Sequence, residues 1–229
     1  MKKSLIAIGF ALLSTACTPD ETAEARSAAS SSAGREVLAT PPEVQRTAAA
    51  AIRYVTAPGQ NAARYRVREQ LVGFELPNDA VGETKNVTGV IAADANGKLI
   101  PAESRFTVDA ATLTSDRDRR DNFLRRNTLQ TEQFPNVTLV PTAVRGLRFP
   151  LPTSGSRTFD LVGNLTVRGV TKPTTWRATA QFAGNRVTGS ARTAFTFADF
   201  NMEQPRVRSV LSVADTIRLE LDFNLLRDN

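Results

Sequence analysis

The 229-residue sequence contains no histidine and only one cysteine, Cys17. Without imidazole there is no Ser-His-Asp or Cys-His machinery and no imidazole metal site. One thiol forms neither an internal disulfide nor a cysteine cluster. The carboxylates offer little more. Asp109, Asp160 and Asp199 stand apart with no catalytic partner at a defensible spacing, and isolated Asp residues in β-rich chains are mostly turn formers. The expectation is a protein that is not an enzyme and carries no cofactor or metal. Long basic runs are also missing. A net charge of +6 and a pI near 10.1 therefore read as an Arg-rich solvated exterior, and no nucleic-acid partner is expected. What is present is a globular balance of 41% hydrophobic and 23% charged residues.

The only long apolar run near the start, Leu5 to Leu13, follows Met1-Lys2-Lys3 and is too short to span a bilayer as a helix. Ser14-Thr15-Ala16-Cys17 then resembles the lipobox of bacterial lipoprotein signals, although Leu13 lies four places before the cysteine and Ser14 fills the usual leucine slot. The resemblance implies cleavage before Cys17 and lipidation of its thiol, a membrane partner through that N-terminal lipid. The alternative is a secretory signal cut after Ala16. Either way the domain is expected outside the cytoplasm, on the periplasmic side of the envelope. Thr18 in place of Asp after the cysteine points to the outer membrane. The expected division is a signal peptide at 1–16, a lipid-anchored cysteine and flexible linker at 17–51, and a β-barrel domain at 52–229. The linker is rich in Ala, Ser, Glu, Thr and Pro, and buries too little apolar surface to offset ordering entropy. Ala48 to Ala51 favours a short helix around Glu43 to Tyr54.

Downstream of about Ala62 the hydrophobic period is two. Phe159, Leu161, Gly163, Leu165 and Val167 alternate with polar neighbours; so do Trp176, Ala178, Ala180 and Phe182. Val187 to Phe197 and Ile217 to Leu225 repeat the pattern, and Tyr65–Phe74, Val81–Ala92, Arg105–Asp109 and Asn136–Val144 show it less cleanly. Asn96-Gly97 and Gly184-Asn185 mark hairpins, and Gly169 and Pro173 bracket a loop. The count predicts an all-β, eight-stranded antiparallel barrel or sandwich. Ser115 to Asn127 breaks the pattern as a short Arg-rich helix over one end. Ser115 and Asp118 read as a capping box, with Asp116–Arg120, Arg117–Asp121 and Asp121–Arg125 pairs and with Phe123 and Leu124 as anchors.

Four blocks in order, Asp109–Ser115, Arg119–Arg125, Gln133–Leu139 and Gly163–Pro173, resemble the successive motifs of the YceI-like domain, over about Ala62 to Arg227. Arg168 stands where many members carry His, and Ala198-Asp199-Phe200-Asn201 where many read Ser-Asp-Phe-Gly. The resemblance implies a lipocalin-like barrel that holds a polyisoprenoid or comparable long lipid, in a periplasmic protein; homodimers occur in the family. The side chains expected to meet such a ligand are Phe74, Phe106, Val108, Phe123, Leu124, Phe159, Leu161, Leu165, Trp176, Ala178, Phe195, Leu219, Leu221 and Phe223. The small inward residues Gly163, Ala178, Ala180, Gly189 and Ala191 are expected to leave room. Carriage or sequestration of the lipid follows. Two alternatives stay open: another amphiphile such as a fatty amide or quinone, or a filled core serving protein interaction or stress response. Alternation reads the same for a core and a cavity.

Overall fold

A computed structural model describes residues 51–228. The expected signal peptide, Cys17 and the expected linker up to residue 50 lie outside the described residues. Ten antiparallel strand segments follow: β1 (Ile52–Thr56), β2 (Ala62–Leu71), β3 (Asn78–Thr84), β4 (Val87–Ala93), β5 (Arg105–Asp109), β6 (Asn136–Arg145), β7 (Ser154–Val167), β8 (Val170–Ala183), β9 (Arg186–Thr196) and β10 (Val210–Asp228). They make eight barrel strands. β1 and β2 run in succession along β10, with Arg53 opposite Asp228 and Leu71 opposite Val210. β3 and β4 run in succession along β2 and β1. Neighbour follows neighbour from β4 through β10, and β1 joins β10 to β4, so the ring closes. Closure through β1 removes the free edge there, whereas β3 pairs β2 on one side and on the other meets only Thr114, through Glu83.

The interruptions have local causes. Between β1 and β2 the chain turns at Pro58-Gly59, where Gly59 has φ +66°, a backbone state that costs glycine little. Between β3 and β4 the Thr84 hydroxyl accepts from the Asn86 N–H, diverting the backbone from the ladder.

Alternation is cleanest on β8, where Trp176, Ala178, Ala180 and Phe182 are 4%, 1%, 0% and 4% exposed. Each points inward because the side-chain period of a strand is two.

Several expectations are corrected. The helix around Glu43 to Tyr54 fails at its described end, because Ile52–Thr56 is β1, held on both sides by β10 and β4. Pro173 is not in a loop. It lies inside β8 opposite Asn164, in the part of β8 that β9 does not reach, so its missing N–H disturbs no ladder on that side. The turn is Arg168-Gly169 alone, with φ +49° and +75°, the two-residue hairpin form. Phe74 lies past the end of β2, in a turn.

The Arg-rich segment does form helix α1 (Asp118–Phe123), extended by a π-helical turn over Leu124–Thr128. Its predicted capping box does not form. The Ser115 N–H and hydroxyl donate to the buried Asp121 carboxylate instead, at 3.0 and 2.6 Å. That occupies Asp121, so the Arg117–Asp121 and Asp121–Arg125 pairs are absent among the described residues. Arg125 donates to the Leu113 carbonyl and to Asn122. Asp116–Arg120 is present.

Candidate functional site

The inner faces of the strands enclose two chambers. The larger, of about 660 Å³, lies at the end covered by α1. Its wall is carbon: Ala63, Tyr65, Val67 and Leu71 of β2, Phe106 and Val108 of β5, Val137 and Leu139 of β6, Leu165 and Val167 of β7, Trp176 of β8, Phe195 of β9, and Ile217, Leu219 and Leu221 of β10. Phe123, Leu124 and Leu129 roof it, and Val72, Phe74, Pro205 and Val207 form its rim. The smaller chamber, of about 140 Å³, lies toward the other end, under Leu147, Phe149 and Leu151.

Each residue expected from the sequence meets one of these spaces. Phe74, Phe106, Val108, Phe123, Leu124, Leu165, Trp176, Phe195, Leu219 and Leu221 line the larger chamber. Phe159, Leu161, Ala178 and Phe223 line only the smaller one. Reasoning from sequence missed Val67, Val137, Val167 and Ile217 on the walls, and Met202, Pro205 and Val207 beyond β9. The wall residues sit at inward positions of their strands, so the alternation already contained them; the segment around Met202 lies outside any strand and offered no such signal.

The room in the larger chamber does not come from the small inward residues, none of which lines it. A side chain at Gly163 would strike the Val140 carbonyl and Leu139, and one at Gly189 the Thr179 carbonyl and Phe223. Those spaces are filled by neighbours. Ala178 and Ala191 face each other across β8 and β9 beside the smaller chamber. The larger chamber instead arises where the strands reach past the packed middle of the barrel and α1, not another strand layer, covers the end.

Polar groups in the larger chamber gather under α1. Glu69 points inward from β2, is 7% exposed, and accepts from Arg120 of α1 at 2.5 Å. Arg120 also bonds Asp116 and Ser115. Burial alone would lower the Arg120 guanidinium, but its bonds to Asp116 and Glu69 more than reverse this and its pKa is raised. Asp116, bonded to Arg120, is held below the usual carboxylate range. The Tyr65 phenol is pushed up to about 12, chiefly by burial. The Trp176 indole N–H is satisfied by Thr174 at 3.0 Å. Arg117 lies over the Phe74 ring at the rim, 5.7 Å from its centroid. A slender apolar molecule would therefore meet mostly hydrocarbon along its length, with charge concentrated at the α1 end.

Arg168 and Asp199, where the sequence departs from the usual motifs, lie in neighbouring turns outside this lining. Arg168 bonds Gln130 and the Asn201 carbonyl. Asp199 caps the short 3₁₀ turn after β9, accepting from the Thr196 N–H and hydroxyl, and these bonds lower its pKa.

Comparison with known proteins agrees with this architecture. The profile of the YceI-like domain matches residues 54–225. A UPF0312 protein of Pseudomonas putida (strain GB-1) is 31% identical over 118 residues, 48% of this chain and 58% of that protein. One of Pseudomonas fluorescens (strain SBW25) is 31% identical over 133 residues, 54% of this chain and 64% of that protein. The chain thus spans less than two thirds of the length of these relatives. Among solved structures, a polyisoprenoid binding domain from Saccharophagus degradans superposes with TM-score 0.57 at 10% identity, over 76% of this chain and 98% of that one. Burkholderia cenocepacia BcnA gives 0.55 at 16% identity, over 74% and 98%. The Campylobacter jejuni YCEI protein gives 0.53 at 19%, over 70% and 94%. At these identities the likeness is one of fold.

Proposed function

The chain belongs to the YceI-like domain family, and from that membership we propose that its barrel binds one long apolar or amphiphilic lipid, polyisoprenoid in character, for carriage or sequestration in the bacterial envelope and without catalysis. The observation that carries this reading is the 660 Å³ hydrocarbon-walled chamber. Its size falls in the range of small-molecule sites. Each methylene moved from water into such a wall gains about 0.8 kcal/mol, so a long chain binds firmly with few polar contacts. The Saccharophagus degradans neighbour, described as a polyisoprenoid binding domain, supports the choice of ligand class. The chamber also favours this reading over a filled core.

The test is to purify the full chain from cells, extract it with organic solvent, and identify bound lipid by mass spectrometry. Stripped protein is then melted with added polyprenols. A lipid at one per barrel is expected, together with a rise in melting temperature of roughly 5–10 °C at a hundredfold excess over Kd. An empty barrel that no polyprenol stabilises would sink the reading.

Export and anchoring at Cys17 belong to the same proposal and rest on the residues up to Cys17. Labelled palmitate is expected to enter the native chain and not Cys17→Ser. Equal labelling of both would refute the anchor.

A further inference from the structure

The two chambers share three lining side chains, Phe106, Leu139 and Leu221. Phe106 and Leu139 face each other on adjacent strands β5 and β6. Leu221 stands on β10, across the ring from β6. Each is almost wholly buried. We infer that these three form a waist that sets the length of lipid the barrel accepts: the tail of a bound chain ends against them, and the 140 Å³ chamber beyond is reached only when the waist is widened. This rests on the lipid-binding reading above and adds to it the residues that select among chain lengths.

Phe106 is the adjustable part. Its ring is folded flat against the backbone of Gly89, its partner across β4 and β5. A Cβ at position 89 would stand 2.2 Å from the ring's Cδ1, far inside contact distance. Gly89 has ordinary backbone angles, so the glycine is needed here for space and not for conformation. Because it gives up its side-chain volume, the ring can lie on the wall instead of across the barrel axis. Adding a methyl at 89 drives the ring toward Leu221 and narrows the waist. Shortening residue 106 opens it. The two changes therefore predict shifts of opposite sign, which general loss of packing does not.

The smaller chamber supplies an independent check. Ala178 lines that chamber and not the larger one. Ala178→Val fills it from the wall. If the tail ends at the waist, this substitution leaves the wild-type preference unchanged and cancels the extra length admitted by an opened waist.

The experiment uses the stripped full chain and a series of polyprenols of increasing isoprene number, with Kd and melting temperature read for each. Far-UV circular dichroism confirms folding, and Leu221→Val is a second opening variant should Phe106→Leu not fold. Phe106→Leu is expected to move the optimum to a longer polyprenol, with about a fourfold gain in affinity for each further methylene buried. Gly89→Ala is expected to move it to a shorter one. Phe106→Leu with Ala178→Val is expected to return it to the wild-type length. If polyprenols bind but the optimum is the same in all variants, or if both single changes move it the same way, the waist is refuted while lipid binding stands. If no polyprenol binds the wild type, the functional reading fails and the waist falls with it.

Discussion

Tyr65 stands on the inner face of β2 with its ring against Gly82, where a Cβ would lie 2.1 Å from the ring's Cε1. Its hydroxyl is buried without a hydrogen-bond partner, and the nearby Arg120 charge offsets only part of the burial penalty on ionisation. Burial raises the phenol from its ordinary value of 10.0 to about 12 in the folded chain. A raised pKa means that the folded state keeps its proton after the unfolded state has lost it. The stabilisation is complete below pH 10 and is lost as pH rises from about 10 to 12, amounting to about 2–3 kcal/mol. Phenolate absorbance should show Tyr65 ionising only as the barrel opens. The melting temperature should fall more steeply between pH 9.5 and 11 in the native chain than in Tyr65→Phe; parallel curves would show that the phenol is not coupled to folding. The inner row of β2 reads Ala63, Tyr65, Val67, Glu69, Leu71. Two of its five members carry polar atoms, which is why β2 alternates less clearly in the sequence than β8, where the inward positions from Trp176 to Phe182 are all apolar. The resting of Tyr65 on Gly82 and of Phe106 on Gly89 joins residues from different strands, and no local pattern contains it.

At the scale of elements, α1 shows where local signals give way to tertiary ones. Ser115 and Asp118 have the spacing of a capping box, yet the hydroxyl has a buried carboxylate, Asp121, within reach and bonds that instead. The i,i+4 pair that survives, Asp116–Arg120, is continued by a bond that spans the chain, Arg120 to Glu69 of β2. This buried pair ties the roof of the larger chamber to its wall. Removing one partner strands the other in a poorly hydrated place, whereas replacing both with apolar groups of similar volume is often tolerated. Glu69→Ala is expected to cost about 2–3 kcal/mol, the lower part of the range for buried pairs because Arg120 keeps Asp116. Arg120→Met should cost a similar amount by leaving Glu69 alone. Glu69→Met combined with Arg120→Met should recover most of the loss. Urea midpoints of the three variants decide this; a double variant as weak as the sum of the singles would mean that the tether is not a coupled pair.

For the whole molecule, the decisive contact joins the first strand to the last. Eight half-apolar strands and the covering helix are legible from periodicity, but ring closure is not, because β1 is five residues long and its partner lies at the far end of the chain, with Arg53 bonded to Asp228 across 175 positions. Contacts this distant in sequence carry a high loop-closure cost and belong to slow-folding β topologies. The closing seam is clipped by a buried polar knot at the kink between β1 and β2. The Asn61 amide donates to the Ala57 carbonyl at 2.6 Å and accepts from the Asn224 N–H at 2.8 Å, and the Ala57 N–H donates to the Asn224 carbonyl at 2.7 Å. Asn61 is 3% exposed, so Asn61→Leu leaves a buried N–H and a buried carbonyl without the partner it supplied. Each such group costs about 1–3 kcal/mol, and a total loss near 3 kcal/mol is expected, against about 0.5 kcal/mol or less for the exposed Asn127→Leu. Because the knot spans the seam, hydrogen exchange should quicken together in β1 and in the C-terminal part of β10, with β7 and β8 staying protected. A loss of protection confined to residues 57–61 would make Asn61 a local turn residue and leave the closure of the ring to the strand ladders alone.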